Sequence, residues 1–400
     1  MKICGIVTEY NPFHKGHLYQ IGKTREILGE DTAIVCCMSG DFVQRGEAAL
    51  LNKNLRAEMA VRGGADLVLS LPLRWSLSSA QGFADGAIHI LNMAGVDHVS
   101  FGAEDADIGQ LTELAELIAE KSVIDGTIQN MEEGLPFALA RERELYKRIK
   151  ERSALISKPN NILAIEYIRA LREQESKAVP IAVGRLGADH DSEDTSEGVA
   201  SASRIRELIR SGSFDEVEGF MPATSFEMIC RAEEQGILMD DLYRLDCAMT
   251  AVLSRMTAED MAKLPDAAEG LENRLAEAVK KGRTFGEICD IAKTKRYAHS
   301  RIRRMLYCAF LGIEKQEKSL PGFSRVLAFN DRGRAVLSRL EQREDFTFIT
   351  KPAAAKYLND KDKAEFELEA RAADIYDMAL PAFTELKKGR EWVQGAKYIR

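Results

Sequence analysis

The sequence predicts an α/β protein: a Rossmann-like, doubly wound parallel sheet followed by a mostly α-helical C-terminal domain. Three observations carry this. First, short apolar, β-branched runs alternate with helix-period segments over the first two hundred residues. Second, the strand signal largely stops after residue 212. Third, two histidines stand in "TEYNPFHKGHL" (8–18), where a strand gives way to a helix. The runs "KICGIVTEY", "TAIVCCMSG", "ADLVLSLPL", "DHVSFGA" and "VPIAVGRLG" read as strands that end in Gly, Pro or Ser. Between them "HLYQIGKTREILG" and "KNLRAEMAVRGG" repeat apolar residues at three and four, as amphipathic helices do. Beyond 212, "EMICRAEEQG", "LENRLAEAVKKG", "FGEICDIAKTKRYAHSRIRRMLYCAFLG" and "FELEARAADIYDMAL" carry helical periodicity. Two domains are expected, 1–212 and 213–400, each long enough for its own core.

Composition excludes several classes. At 45% hydrophobic and 30% charged residues the chain is ordinary globular protein. No run reaches the roughly 18 apolar residues of a membrane span, so no membrane partner and a cytoplasmic location are expected. The seven cysteines form no CxxC pair, so neither a zinc site nor a disulfide framework is suggested, and buried reduced thiols are expected. Charge is unevenly spread. Residues 1–200 hold 21 basic and 30 acidic side chains and residues 201–400 hold 34 and 33, while 281–344 alone carries 15 basic against 7 acidic. Such a segment in a chain of net charge −8 points to a polyanionic partner.

The histidine corner suits phosphate chemistry. Gly16 allows close approach of the backbone, and a helix start offers unpaired N–H groups and the positive dipole end to a phosphate. His14 and His17, three apart on one turn, can face the same phosphates and neutralise charge as a nucleophile attacks the α-phosphorus. They are the candidate catalytic residues. The overlapping "GHLYQIGKT" departs from a phosphate-binding P-loop by one residue of spacing, and its Gly22 reads as helix interior. His89, His98, His190 and His299 show no metal-ligand spacing and are read as structural.

The HxGH pattern after a strand resembles the nucleotidylyltransferase superfamily. Its second hallmark, an ISSTxIR-like turn, is loosely matched by "VASASRIRELI" (199–209): Ser201 and Ser203 suit a helix cap and Arg206 stands where the motif's arginine would. Longer stretches, "EYNPFHKGHLYQI", "MSGDFVQRGEAALLNK", "SKPNNILAIEYIRA" and "LEARAADIYDMAL", in that order, resemble the bacterial tRNA(Met) cytidine acetate ligase family across both domains. The resemblance implies an enzyme that activates acetate with ATP to acetyl-adenylate. It then passes the acetyl group to the exocyclic amine of the wobble cytidine in elongator tRNA(Met).

It also implies that ATP lies along Val7, Thr8, Glu9, Tyr10, Asn11, Pro12, Phe13, His14, Lys15, Gly16, His17, Leu18, Tyr19 and Gln20, with Gly102, Asn161 and Arg185 as further contacts. Gly102 and Arg185 follow strands, where doubly wound sheets bind ligands. Asn160 stands as the alternative to Asn161, because sequence cannot orient adjacent amides. Gln44, Arg45, Lys53 and Arg56 form a donor-rich stretch able to hold a carboxylate or phosphate. Mg²⁺ is expected as counter-charge to the triphosphate, although no carboxylate cluster identifies ligands for it.

The basic segment then acquires a partner. Lys295, Arg296, His299 and Arg303 are the candidate tRNA contacts, with Arg296, His299 and Arg303 on one helical face and Ile302, Leu306 and Ala309 on another. Trp392 in the terminal stretch could stack on an unpaired base or pack the tail down. No DNA partner is expected. Two rivals remain: a small-molecule adenylyltransferase of the same superfamily, and a non-catalytic ATP-sensing RNA-binding protein.

Overall fold

The computed structural model describes residues 1–185, 199–317, 319–340 and 345–400. Five parallel strands occupy the predicted runs: β1 (Ile3–Thr8), β2 (Ala33–Ser39), β5 (Leu67–Leu71), β6 (His98–Ala103) and β7 (Val179–Gly184). A two-stranded hairpin, β3 (Phe42–Val43) and β4 (Glu47–Ala48), follows β2. Within the sheet the five run β5-β2-β1-β6-β7. The chain first moves outward from β1 to β2 and β5, then crosses back to β6 on the other side. That reversal makes the carboxyl end of β1 the switch point at which such sheets open a crevice. The histidine corner starts there.

Alternation along the strands builds two cores. Ile34, Cys36 and Met38 of β2 join Cys4 and Ile6 of β1 under α1 (Lys15–Leu28) and α2 (Lys53–Arg62). Val35 and Cys37 face the opposite layer of α3 (Ala80–Met93) and α4 (Pro159–Glu173). Cys36 and Cys37 therefore point to opposite faces of one strand, and burial pushes both thiols up, Cys36 to about 12.

The second half is mostly helical and adds strands to the sheet. Besides helices α5 (Ala202–Arg210), α6 (His299–Leu311) and α7 (Asp360–Met378), it supplies β8 (Phe323–Phe329), β9 (Thr347–Ile349) and β10 (Lys397–Tyr398). β8 pairs antiparallel with β5 and carries β10 and β9, so the second half also extends the sheet. The hairpin makes the reciprocal crossing: Phe42 is buried between Tyr307 and Tyr376, with ring centroids 5.6 and 6.1 Å away, and the Tyr376 hydroxyl donates to Ala49 O at 2.9 Å.

Buried ion pairs fasten the two halves. Lys53 reaches Glu391 at 2.8 Å and Glu369 at 3.5 Å. Glu391 also pairs with Arg325, while Arg390 pairs with Asp41 at 2.8 Å and Asp377 at 3.1 Å. Removing one partner of such a pair strands the other charge away from water. Replacing Arg390 with Ala should therefore lower stability by about 3–5 kcal/mol in urea unfolding, whereas a loss below about 1 kcal/mol would show that the cluster is no stronger than a surface pair.

Candidate active site

The turn between β1 and α1 is held from both sides. Tyr10 adopts a positive φ of 45°, and its ring lies edge-on to Phe13 (4.9 Å) and His17 (4.7 Å). Arg56 donates to Glu9 O and Arg206 to Asn11 O, the latter at 2.8 Å. His14 then caps α1 in a reciprocal box: its Nδ1 accepts from Gly16 N at 3.0 Å, while its own N–H donates to His17 Nδ1 at 3.2 Å. An imidazole nitrogen that accepts a hydrogen bond has no proton, so each neutral ring carries its proton on Nε2. The three-residue spacing thus yields two rings tilted by 32°, their centroids 3.8 Å apart, with matched tautomers.

Their environment keeps them neutral. Burial, then Arg185 and Arg206, lowers His14 to about 3; burial, then His14 and Arg185, holds His17 well below the usual range. Gly16 is required for proximity. A Cβ on it would stand 2.8 Å from His14 Cε1.

One expectation needs correction here. The amides at the start of α1 are not unpaired: Lys15 N donates to Phe220 O at 3.0 Å, Gly16 N to the His14 ring, and His17 N to His14 O at 3.0 Å. What this corner offers a phosphate is therefore the dipole and two Nε2–H donors. Lys15 turns away, its Nζ bonding Gly219 O.

Around the pair opens a cleft of about 1050 Å³, part of it open to solvent. Its floor is Val7, Thr8, Glu9, Tyr10, Asn11 and Gln20, with Gly102 and Arg185 at the ends of β6 and β7. Pro12, Phe13, Lys15, Gly16, Leu18 and Tyr19, placed in the same stretch by sequence, lie outside the lining, and Phe13 is fully buried. Ser201 lines the cleft and caps α5, accepting from Arg204 N at 3.2 Å; Ser203 instead accepts from Arg206 at 3.4 Å. Arg206 is tied to Asn11 O and to Glu47 at 2.8 Å, and its buried Nε has no partner among the described residues. An orphaned guanidinium donor fits an arriving anion.

The adjacent amides separate. Both Asn160 N and Asn161 N donate to the Glu104 carboxylate, at 3.1 and 2.9 Å. Asn161 is fully buried, clasping Asp105 through its N–H (3.1 Å) and its carboxylate (2.9 Å). Asn160 faces the cleft and accepts from Arg185 at 3.3 Å. Asn161 thus sits behind the lining that it braces.

Gln44 and Arg45 line the cleft, but Lys53 and Arg56 do not: the first is spent on Glu369 and Glu391, the second on backbone carbonyls. Sequence reasoning missed the aromatic wall of Phe83, Phe101 and Tyr167. A signal existed, since Leu163 and Tyr167 follow Asn160 at helical spacing on one face.

The basic segment is not one helix. The chain breaks at 293–298, where Arg296 N donates to Thr294 Oγ1 and the buried Tyr297 donates to Glu269 O. Lys295 and Arg296 are exposed on this loop, outside α6, and His299 opens the helix beside Asp290 at 3.5 Å. Arg303 faces inward, bonding Gly46 O at 3.0 Å and Glu47 at 3.4 Å. Arg301 and Arg304 pair with Glu269 and Asp266. The face shared by Arg296, His299 and Arg303 is thus not formed, while Ile302, Leu306 and Ala309 are buried. Trp392 lies edge-on to Phe366 at 4.8 Å. His190 lies outside the described residues.

A doubly wound sheet whose switch point presents two neutral imidazoles and an unsatisfied guanidinium donor on Arg206 defines a phosphate-handling site of nucleotidyl-transfer type. Residues 1–391 match the family model of the HIGH nucleotidyl transferases. The chain is 35% identical to the tRNA(Met) cytidine acetate ligase of Acetivibrio thermocellus, covering 98% of this chain and 99% of that one. It is 32% identical to the ligase of Kosmotoga olearia, over all of both. The crystal structure of Thermotoga maritima TmcAL without ligand superposes with a TM-score of 0.95 at 28% identity, and that of the same protein bound with alpha-thio ATP with 0.92, each over 100% of both chains. The chain belongs to the tRNA(Met) cytidine acetate ligases within the HIGH nucleotidyl transferase family.

The capping box makes a direct prediction. In Gly16→Ala the new methyl should force the His14 ring from its site, so that its pKa moves from about 3 toward 6.5. Loss of the cap should cost about 1 kcal/mol. Imidazole NMR across pH reads the first effect and thermal unfolding the second; an unmoved His14 titration would exclude the steric role of Gly16.

Proposed function

We propose that this chain is a cytoplasmic, ATP-dependent ligase that acetylates the wobble cytidine of elongator tRNA(Met). Acetate attacks the α-phosphorus of ATP, pyrophosphate leaves, and acetyl-adenylate forms. The exocyclic amine of the cytidine then displaces AMP to give acetylcytidine. The observation that carries this reading is the pair of neutral Nε2–H donors at the switch point of a whole-length relative of these ligases.

The two imidazoles donate to phosphate oxygens on which charge builds as acetate attacks, a contribution concentrated in the transition state. Arg185 and Arg206, on either side, balance the departing pyrophosphate. Mg²⁺ would accompany the triphosphate, held by phosphate oxygens and water. Among the described residues no group of three His, Cys, Asp or Glu side chains is placed for a metal. No described helix is long and apolar enough to cross a membrane.

Incubation with ATP, labelled acetate and methionine tRNA, followed by digestion to nucleosides, tests the whole reaction: labelled acetylcytidine is the expected product. Acetate-independent pyrophosphate release would favour the adenylyltransferase rival. In His17→Ala, acetate-dependent pyrophosphate exchange should drop about 100-fold or more, with a smaller change in ATP affinity. Near-normal exchange would return the histidine to a purely capping role.

For tRNA, exposure selects Lys295 and Arg296, with His299 beside them, whereas Arg303 is engaged inside. The Lys295→Glu/Arg296→Glu double variant should bind tRNA more weakly, its log affinity falling with log salt about one to two units less steeply. Unchanged binding and slope would remove this loop from the interface.

A further inference from the structure

Glu9 is a carboxylate in a cleft otherwise suited to anions. It follows β1, its Oε1 accepts the Gln44 backbone N–H at 2.8 Å, and its side chain lines the cleft with Gln44, Arg45 and Tyr167. Among the described residues the Gln44 amide is its one side-chain hydrogen-bond donor, and no ion pair holds it. The resemblance counts Glu9 within the nucleotide-contacting stretch, yet its charge repels phosphate, pyrophosphate and acetate alike. Its second oxygen suits a hydrogen-bond donor.

Of the reactants in the function proposed above, on which this inference rests, two bring exocyclic amines: adenine and the acceptor cytosine. Gly102, which the resemblance places near the adenosine, stands at the end of β6. Gln44 belongs to the hairpin after β2, on the opposite side of β1, and anchors the Glu9 carboxylate toward that side. A carboxylate is also the natural acceptor for the cytosine amine.

We propose that Glu9 takes the proton released by the exocyclic amine of the acceptor cytidine during acetyl transfer. The amine nitrogen forms a bond to the acetyl carbonyl carbon, and the bond from that carbon to the phosphate oxygen breaks. AMP leaves with the electron pair on that oxygen. The proton lost from nitrogen passes to the Glu9 carboxylate and from there to water. Burial, foremost, and the nearby Glu47 raise the Glu9 carboxyl above its ordinary range, against the Gln44 N–H, Arg206 and Arg45, which lower it. A base poised nearer neutrality serves proton transfer better. Tyr167, whose hydroxyl is pushed up by burial foremost and then by Glu9, faces it as well.

Single-turnover transfer from synthetic acetyl-AMP to a methionine tRNA transcript isolates this step from ATP chemistry. Wild-type transfer should rise with pH as the carboxyl ionises and then level off. Glu9→Gln, which keeps an acceptor for the Gln44 N–H, should transfer about 100-fold more slowly or worse and lose that rise. Glu9→Asp should be intermediate and keep it. Detectable acetate-dependent pyrophosphate exchange by Glu9→Gln reports a folded site. The proposal is overturned if Glu9→Gln transfers within threefold of wild type with the same pH profile. It is equally overturned if exchange is abolished in both variants, or if the defect is confined to a raised KM for ATP, because Glu9 then serves the nucleotide. If the wild-type protein itself forms no acetylcytidine from acetyl-AMP, the proposed function fails instead.

Discussion

A single buried guanidinium fixes the strand ends on which the site is built. Arg56 is fully buried and donates to Leu51 O at 2.9 Å, Ser39 O at 3.1 Å, and Gly40 O and Glu9 O. Its partners are carbonyls at the ends of β1 and β2 and at the start of α2, so one side chain satisfies groups that the sheet leaves unpaired. The adjoining turn takes its second anchor from Arg206. With Glu9 O and Asn11 O both held, the backbone delivers His14 to the end of α1 where its ring can exchange hydrogen bonds with Gly16 and His17. Rigid donors need no reorganisation as charge develops.

The second half of the chain reaches that turn through Glu47. This residue of the hairpin receives Arg206 of α5 on one carboxylate oxygen and Arg303 of α6 on the other. Basic residues that looked like an RNA-facing stripe are therefore partly internal counter-charges to the acidic first half. The same holds at the far end of the hairpin loop, where Asp41 and Lys53 meet Arg390, Glu391 and Glu369. The charge asymmetry of the sequence records this pairing as well as any external partner.

The five parallel strands were legible because their runs are apolar, β-branched and sharply punctuated, and the histidine pair because its spacing matches one helical turn. β8 was not, because "FSRVLAF" puts Ser324 and Arg325 inside a buried strand. Those side chains find their partners in distant groups: Ser324 in Ser70 O at 2.8 Å, and Arg325 in Glu391 and Gln394 O. The break at 293–298 was invisible for a related reason: Tyr297 continues the apolar period while its hydroxyl is claimed by Glu269 O, far away in sequence. In the site, Asn160 and Asn161 are chemically identical. Their partners decide which of them turns inward: Asp105 holds Asn161, while Glu104 and Arg185 hold Asn160.

The antiparallel strand has a consequence for how the molecule comes into being. Leu67–Leu71 presents an unpaired edge to the solvent until Phe323–Phe329 has been made and laid against it. During synthesis the βα units can assemble in sequence, but the sheet stays open on that side, and Asp41 and Lys53 stay without their counter-charges, while most of the chain is still being added. A polypeptide interrupted before that strand would carry a complete pair of histidines on an unfinished scaffold, with a sticky edge that invites association with other chains. Quality control of the newly made protein thus falls on its later residues, although the histidine pair lies among the earliest.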